Sequence, residues 1–312
     1  MLDFSNSKIL IVGDIMLDKY YFGKVDRISP EAPVPIVNIQ KEESRLGGAS
    51  NVANNIVSLG GHTLLCGVIG HDLFGKEIER ISRHKNIDTF LLKTSSPTIT
   101  KARIIGGKQQ IVRVDYEDKS ELNADNKKLF RDAISQILPE YDILVISDYG
   151  KGLISEDLSR YLIKLAHKYD KKVIIDPKGK NWEKYSGADI VTPNVKELSD
   201  IVGYTVPNTD RAIEKAAREA ITNNHLTALL VTRSDKGMSL IGPIPPIHIP
   251  THSEEVFDVS GAGDTVVATL GLCLAAGLEI SEAMRTANIA AGIVVKKIGT
   301  ATLTIEELVQ QK

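Results

Sequence analysis

The sequence predicts an α/β fold: a mostly parallel, doubly wound sheet that carries a small β-sheet lid. From residue 62 onwards, short apolar runs of strand length alternate with segments of helix length, and this alternation favours a parallel sheet covered by helices. Several of the apolar runs end in a polar residue, which predicts a ligand crevice along one edge of the sheet. Two strand-like stretches lie outside this alternation, and they form the predicted lid.

The composition is typical of a single globular domain, which we expect to span residues 1–312. Hydrophobic residues make up 42% and charged residues 25%, and the formal net charge is −2. The lack of a basic excess and the aromatic content of 5% argue against a nucleic-acid partner. The start has no signal-peptide pattern and no apolar run is long enough for a membrane span, so we expect no membrane association. Cys66 and Cys273 lie in apolar runs and are typical of reduced core thiols, which favours a cytoplasmic location.

The first apolar run, residues 8–14, predicts a buried strand that ends at Asp14. Ligands of open α/β sheets bind beyond the carboxyl ends of the strands. Asp14 and the nearby Asp18 are therefore candidates to accept hydrogen bonds from substrate hydroxyls. The alternative is that both are ordinary turn residues.

The lid is predicted from two stretches, about 17–45 and 97–116. Three prolines between residues 30 and 35 exclude a helix, and residues 34–39 predict an edge strand. Residues 100–105 and 110–115 flank Gly106 and Gly107, a pattern that predicts a β-hairpin.

Glycines precede the first predicted helix. Gly47 and Gly48 predict a tight turn that brings the backbone close to a ligand, and the side chain of Asn51 can point towards that ligand. The predicted helices cover residues 52–59, 74–84, 124–138, 156–169, 195–202, 210–223, 265–276 and 281–296. The further predicted strands cover residues 64–69, 143–148, 172–176, 190–192, 229–232 and 238–241.

The functional prediction depends most on residues 258–264. Gly261, Ala262 and Gly263 directly precede a predicted helix, so their backbone amides can approach an anion, which the helix N-terminus also attracts. Asp264 falls in the first helical turn, where its carboxylate suits a general base that takes a proton from an attacking hydroxyl. The alternative is a helix-start carboxylate without a chemical role.

Over essentially its whole length, the chain resembles the ribokinase (PfkB) family of sugar kinases. Two motifs carry the resemblance: residues 47–53 with Gly60 and Gly70, and residues 258–264 about 210 positions later. Residues 194–197 look like the family's Asn-x-x-Glu element. The resemblance implies a ribokinase-like three-layer α/β/α sandwich with a β lid, ATP and Mg²⁺ as cofactors, and a homodimer that pairs through the lids.

A narrower resemblance is to the kinases of D-glycero-β-D-manno-heptose 7-phosphate. Residues 27–35, 109–115, 147–152 and 176–179 are similar to their signatures, and residues 266–269 replace the Phe and Gly-rich pair of the general family. This implies phosphorylation of the anomeric hydroxyl to the 1,7-bisphosphate, in ADP-heptose biosynthesis. Many such kinases are fused to a nucleotidyltransferase with a His-x-Gly-His motif, which this chain lacks. We therefore expect a stand-alone kinase or the kinase half of a fusion.

Two alternatives stay open: another PfkB kinase, acting on a fructose or tagatose phosphate or on ribose, and a non-catalytic sugar or nucleotide sensor. A dehydrogenase is a poor fit, because Gly13 and Asp14 do not begin a Gly-x-Gly-x-x-Gly motif.

The resemblance also implies the roles of individual residues. Asn194 and Glu197 would act at the nucleotide, with Glu197 reaching Mg²⁺ through water. The other implied nucleotide contacts are Thr232, Ser234, Gly237, Val256 and Asn288. The implied substrate contacts are Asp14, Asp18, Gly47, Gly48, Asn51, Arg103, Gln110, Arg113, Asp148, Lys151, Lys178 and Asp264. The four cations in this set are candidates for the 7-phosphate, and the alternative for each is a solvated surface charge.

Overall fold

The computed structural model describes residues 2–251 and 256–311, which form two sheets and nine α-helices. The strands are β1 (Lys8–Gly13), β2 (Ile15–Ile28), β3 (Pro35–Gly48), β4 (His62–Gly70), β5 (Asp88–Thr94), β6 (Thr100–Gly106), β7 (Gln109–Tyr116), β8 (Ile143–Ser147), β9 (Lys172–Asp176), β10 (Ile190–Val191), β11 (Leu229–Thr232), β12 (Met238–Ile241) and β13 (Ile247–Ile249). The helices are α1 (Ala49–Ser58), α2 (Leu73–His84), α3 (Ala124–Ile137), α4 (Glu156–Lys168), α5 (Val195–Val202), α6 (Asp210–Asn224), α7 (Ala262–Ala275), α8 (Ile280–Val294) and α9 (Ile305–Gln310).

The large sheet has the strand order β13-β12-β11-β10-β9-β8-β1-β4-β5. Every neighbouring pair from β5 to β11 is parallel, whereas β12 and β13 are antiparallel. The predicted mostly parallel, doubly wound sheet is therefore confirmed. The chain proceeds from β1 to one edge through β4 and β5, and then returns to β8 on the other side of β1. This topological switch between β1 and β8 is where open α/β sheets place their ligands.

Apolar residues cover both faces of the large sheet, as a buried parallel sheet requires. Ile9 and Ile11 of β1 belong to one buried cluster, which includes residues of α1, α7 and α8. Leu10 and Val12 belong to a second cluster, which includes residues of α3, α4 and α6. Because successive side chains of a strand point to opposite faces, the two clusters define three layers, helices–sheet–helices.

The four strands β3-β2-β6-β7 form a separate small sheet. β2 pairs antiparallel with β3 and parallel with β6, and β6 pairs antiparallel with β7. The hairpin predicted at Gly106 and Gly107 is confirmed, with Gly107 at a φ of 64°. The small sheet contains most of the two stretches predicted as a lid, and its closure over a ligand stays a prediction.

Some elements differ from those predicted. β2, β5, β13 and α9 were not predicted, and β3 extends to Gly48 instead of ending near residue 39. α1 begins at Ala49 and not at Val52, because Gly48 has a φ of 57° and turns the chain directly into the helix. None of the helices in the described part of the chain is long and apolar enough to cross a membrane.

Candidate active site

Asp264 lies in the first turn of α7, as predicted, with only 3% of its surface exposed. The Asn51 side-chain amide donates to one of its carboxylate oxygens, Oδ2, at 2.7 Å. The Tyr149 hydroxyl donates to the other oxygen, Oδ1, at 2.6 Å. The carboxylate is thus fixed from two sides by two residues, Asn51 and Tyr149, which precede it in the sequence by 213 and 115 positions.

Burial raises the pKa of Asp264 to about 6, although the hydrogen bonds from Asn51 and Tyr149 partly oppose that effect. Burial and the neighbouring Asp264 carboxylate raise the pKa of Tyr149 well above its usual range, so its hydroxyl stays protonated and can donate. A carboxylate with a raised pKa is ionised at neutral pH but has a higher proton affinity than an exposed aspartate. This is the property that general-base catalysis requires.

The turn before α7 depends on glycine. Gly261 has a φ of 80°, and a Cβ atom there would lie 2.8 Å from the Asn51 amide nitrogen that binds Asp264. Gly263 has open space around its Cα, so that an added Cβ atom would have no neighbour within 4 Å. The backbone amide of Ala262 was predicted to donate a hydrogen bond to the transferred phosphoryl group. In the structure this amide donates to the Val259 carbonyl oxygen at 3.2 Å.

Asp14 is buried directly after β1 and supports the loop that carries Tyr149. Its Oδ2 atom accepts hydrogen bonds from the backbone amides of Tyr149 and Lys151, at 2.9 and 3.0 Å. Burial and the nearby Asp148 carboxylate raise the pKa of Asp14 to about 6. Asp14 therefore acts on Asp264 indirectly, through the position of the Tyr149 backbone.

Asp148 is also buried, after β8, and its carboxylate is bound within the chain. Oδ1 accepts from the Gly150 amide at 2.7 Å. Oδ2 accepts from the Tyr185 hydroxyl at 2.6 Å and pairs with the Lys184 ammonium. These contacts anchor the 148–150 loop, and the predicted contact of Asp148 with the sugar stays a prediction.

Asp18 lies on β2, where the small sheet meets the large one. Its Oδ1 atom pairs with Arg103 Nη1 at 2.6 Å, and the carboxylate is buried. A Cβ atom at Gly47 would clash with the other oxygen of Asp18. At Gly48 a Cβ atom would lie 2.5 Å from the Asp14 carbonyl oxygen. Both glycines are thus required for the close approach of β2, β3 and the end of β1.

The remaining predicted substrate cations each have a carboxylate partner. Arg113 binds Asp115 on the exposed strand β7 at 2.8 Å, and Gln110 is exposed near the turn of the same hairpin. Lys151 is paired with Glu117. Lys178 pairs with Glu197 at 2.8 Å, beside the start of α5.

Asn194 and Glu197 form a reciprocal cap at the N-terminus of α5. Asn194 Oδ1 accepts from the backbone amide of Glu197 at 2.9 Å, and Glu197 Oε2 accepts from the backbone amide of Asn194 at 3.2 Å. Asn194 also forms a β-bridge with Thr232. The cap thus places the end of β11 next to the carboxylate of Glu197.

The other predicted nucleotide residues lie after β11, in the segment before α7 and within α8. Ser234 and Gly237 have positive φ values of 53° and 77°, and a Cβ atom at Gly237 would clash with the Ile249 carbonyl oxygen. Asn288 donates from its side chain to the Pro250 carbonyl oxygen at 2.7 Å. Val256 is 59% exposed, next to residues 252–255, which lie outside the described chain.

The comparisons with known proteins decide the family. The sequence profile of the pfkB family carbohydrate kinases matches residues 6–307. The chain belongs to this family. The resemblance found in the two glycine-containing motifs is therefore confirmed.

Two named relatives of this PfkB-family chain are similar over almost its whole length. A protein named D-beta-D-heptose 7-phosphate kinase from Bordetella bronchiseptica is 44% identical over 305 residues, which cover 97% of this chain and 96% of the relative. The bifunctional protein HldE of Haemophilus influenzae is 46% identical over 308 residues, covering 98% of this chain. The chain spans 63% of the length of that bifunctional relative.

Solved structures of PfkB-like kinases share the fold. The ribokinase of Arabidopsis thaliana, solved with ribose and ATP, superposes with a TM-score of 0.76 at 20% identity and covers 98% of both chains. Phosphofructokinase-2 of Escherichia coli, solved with substrates and products, superposes with a TM-score of 0.78 at 19% identity and covers 97% of both chains. The predicted ribokinase-like three-layer fold is confirmed.

Three residues at the site were not among the predicted ones: Tyr149, Lys101 and Asp176. Tyr149 lies inside the stretch 147–152 that carried the narrower resemblance, which was the available signal. The ammonium of Lys101 lies over the Tyr149 ring, 5.8 Å from its centroid. Asp176 ends β9, and burial together with the Asp264 and Glu197 carboxylates raises its pKa well above the usual range.

Proposed function

We propose that this chain is an ATP-dependent kinase of D-glycero-β-D-manno-heptose 7-phosphate that forms the 1,7-bisphosphate in ADP-heptose biosynthesis. The observation that carries the chemistry is the buried Asp264 carboxylate, held by Asn51 and Tyr149 at the start of α7. The name of the Bordetella bronchiseptica relative, which matches over almost its full length, supports the substrate.

In the proposed reaction, Asp264 accepts the proton of the anomeric hydroxyl as the hydroxyl oxygen attacks the terminal phosphoryl group of ATP. The bond from that phosphorus to the β,γ-bridging oxygen breaks, and ADP leaves. Asn51 and Tyr149 keep the carboxylate in one orientation, which favours in-line attack. The backbone amides of Gly261 and Gly263, at the N-terminus of α7, would stabilise the charge on the transferred group.

We place ATP beyond the carboxyl ends of β10 and β11, along Asn194, Thr232, Ser234 and Gly237. The exposed side chain of Val256 would form one wall of the adenine pocket. Asn288 would support this wall through its hydrogen bond to the Pro250 carbonyl oxygen. Aliphatic surfaces of this kind suit a flat, largely apolar base.

The residues near the end of β9 fit a magnesium ion. Desolvation and the carboxylates of Asp264 and Glu197 raise the pKa of the half-buried Asp176 well above its usual range, an arrangement that a nearby cation would relieve. In the described part of the chain, no group of three or more carboxylate, histidine or cysteine side chains could hold a metal alone. Asp176 and Glu197 would therefore hold Mg²⁺ together with waters and phosphate oxygens. The bound ion would neutralise phosphate charge.

The substrate assignment is tested by ADP release from ATP and Mg²⁺ with a panel of acceptors. We expect turnover with D-glycero-β-D-manno-heptose 7-phosphate and much slower turnover with fructose 6-phosphate, tagatose 6-phosphate and ribose. Activity on one of the other sugars alone would keep the kinase chemistry and reject the heptose. Binding of sugar and nucleotide without turnover would favour a sensor.

Replacing Tyr149 with Phe is expected to shift the pH dependence of kcat/KM. The hydroxyl stabilises the ionised form of Asp264, so its loss raises the pKa of the base above about 6. A hydrogen bond to a charged group of this strength corresponds to about one pKa unit. The rate should fall more at about pH 6 than at about pH 8, because protonation of the base removes activity as the pH falls.

Tyr161→Phe is the matched control, because the Tyr161 hydroxyl faces the Arg131 carbonyl oxygen on α3 and not the site. It should leave the acid limb of the kcat/KM profile where it is in the wild type. An unchanged acid limb in Tyr149→Phe would contradict the proposed support of Asp264 by Tyr149.

We further propose that a second copy of the chain covers the outer face of the small sheet. Val112 pairs with Ile104 and Val114 pairs with Ala102 across β6 and β7, so these side chains share one apolar face. Val112 and Val114 are 45% and 39% exposed. An exposed apolar face on an edge strand favours association.

Val114→Lys is expected to convert a dimer into monomers, because it places a charge in the proposed apolar interface. Sedimentation velocity on wild type and variant would measure this. Leu129→Lys is the control, since Leu129 is an exposed apolar residue on α3, away from the small sheet. A monomeric wild type, or a dimer that tolerates Val114→Lys, would contradict the proposed interface.

A further inference from the structure

The inner face of the small sheet carries a concentration of positive charge. Lys101 and Arg103 are two positions apart on β6 and therefore share a face. Across the hairpin, Arg103 is directly opposite Arg113 and Lys101 is opposite Asp115. Lys151, on the loop after β8, lowers the pKa of Lys101 through its charge and so lies near it. We refer to Lys101, Arg103, Arg113 and Lys151 as the cation cluster.

The cation cluster faces the base. The ammonium of Lys101 lies over the Tyr149 ring, and the hydroxyl of the same ring binds Asp264. Asp18, which pairs with Arg103, is the residue opposite Lys101 on β2. A molecule whose hydroxyl reached Asp264 would therefore have the inner face of the small sheet beside it.

Within the cation cluster, Lys101 differs from the other three members. Arg103 pairs with Asp18, Arg113 with Asp115, and Lys151 with Glu117. In residues 2–251 and 256–311, no ion pair or hydrogen bond is formed by the Lys101 ammonium, which instead lies over the Tyr149 ring. Lys101 is half-buried, and its burial and the charges of the three neighbouring cations lower its pKa, although the Asp18 carboxylate opposes this effect.

This charge arrangement is unfavourable without an anion. Like charges directly opposite across two strands destabilise a sheet, and Arg103 and Arg113 are such a pair, although each also pairs with a carboxylate. A half-buried ammonium without a direct ion pair adds a desolvation penalty, and for Lys101 this penalty outweighs the attraction of Asp18. A phosphate dianion would relieve both effects, because it offers several acceptor oxygens to cations on different strands.

We propose that Lys101 binds the phosphate group that the substrate already carries, and that this contact selects sugar phosphates over free sugars. The inference rests on the proposed sugar kinase function and deepens it. The group being transferred lies elsewhere in that proposal, at the N-terminus of α7. The fourth predicted phosphate cation, Lys178, pairs with Glu197 on the nucleotide side.

The test compares phosphorylated and free sugar in wild type and Lys101→Met. Calorimetry would measure binding of heptose 7-phosphate and of the same heptose without phosphate, and KM and kcat would be measured with both. We expect Lys101→Met to weaken binding of heptose 7-phosphate by about 10- to 100-fold, the effect of one lost charge-assisted hydrogen bond. Affinity for the free heptose should change by less than about threefold, and Lys101→Arg should retain most of the selectivity.

Lys108→Met is the matched control, because Lys108 is an exposed cation at the turn of the same hairpin. It removes the same charge from the sheet and should leave both affinities unchanged. An equal loss for both sugars, a loss in kcat with unchanged KM, or an effect no larger than that of Lys108→Met would overturn the proposal.

Failure of the heptose assignment would be visible separately, in the wild type. If the wild type does not bind or phosphorylate heptose 7-phosphate, the same comparison applies to the sugar phosphate it does accept and to its dephosphorylated form. The phosphate contact is then supported only if Lys101→Met removes the difference between those two ligands, and it is overturned if that difference persists.

Discussion

Asp264→Asn is expected to lower kcat by about 10²–10⁴-fold while sugar phosphate and ATP still bind. The variant keeps the shape of the side chain but removes its ability to take a proton. The hydrogen bonds can also be kept, because the new carbonyl oxygen can accept from Asn51 and the Tyr149 hydroxyl can accept from the new amide. Single-turnover kinetics and binding measurements on the same samples would separate the two effects.

The stability of Asp264→Asn provides an independent check. In the folded chain the pKa of Asp264 is raised from 3.8 to about 6, so the fold disfavours the ionised carboxylate. The wild type therefore loses stability as the pH rises from about 4 to about 6, and this loss remains complete above that range. The variant lacks this loss, so its Tm at about pH 8 should be no lower than that of the wild type.

Asp200→Asn is the matched control for this pair of measurements, because Asp200 is exposed on α5. It should change neither kcat nor Tm. Turnover by Asp264→Asn within a few-fold of the wild type would contradict the role of Asp264 as the base. A much lower Tm would instead attribute the lost activity to a damaged fold.

Gly261→Ala is expected to damage both the turn before α7 and the base. An alanine at a φ of 80° is disfavoured by about 1–2 kcal/mol, so the free energy of unfolding should fall by about that amount. The added Cβ atom would lie 2.8 Å from the Asn51 amide nitrogen and would displace it from Asp264. We expect kcat to fall at least about tenfold, as positional shifts at reacting groups do. Chemical denaturation and initial rates would measure the two effects.

Gly263→Ala separates the turn from the phosphate contact. A Cβ atom at Gly263 would meet no atom within 4 Å, and the residue lies inside α7, so the free energy of unfolding should be unchanged or slightly higher. If the phosphates approach this backbone as proposed, the KM for ATP should rise although the fold is intact. Wild-type activity in Gly261→Ala would contradict the account of the turn.

Much of the fold and the central residue of the site could be predicted because their signals are local. The buried strands β1, β8 and β9 are short apolar runs, and the predicted Asp14 and Asp148 directly follow β1 and β8. The turn that places Asp264 in the first helical turn is contained in seven consecutive residues. The cap formed by Asn194 and Glu197 likewise spans one helical turn.

The rest of the site could not be predicted because it depends on contacts between distant residues. Tyr149 reaches Asp264 from a loop that Asp14 and Asp148 both hold, and the contact between Asp14 and the Tyr149 amide spans 135 positions. Asp148 looks like a ligand contact in the sequence, but its partners Lys184 and Tyr185 follow more than 30 positions later. Strand β2 was not predicted because its burial changes from buried to exposed along its length, so it shows no regular apolar alternation.

The central claim is that the chain transfers a phosphoryl group to the anomeric hydroxyl of a sugar phosphate. The most direct measurement is phosphorus and proton NMR of the product formed from ATP, Mg²⁺ and D-glycero-β-D-manno-heptose 7-phosphate. We predict a new phosphate resonance coupled to the anomeric proton, with the 7-phosphate retained and with the signal appearing at least about 10²-fold more slowly for Asp264→Asn. A phosphate on another hydroxyl, or ADP formed without any phosphorylated sugar, would contradict the account.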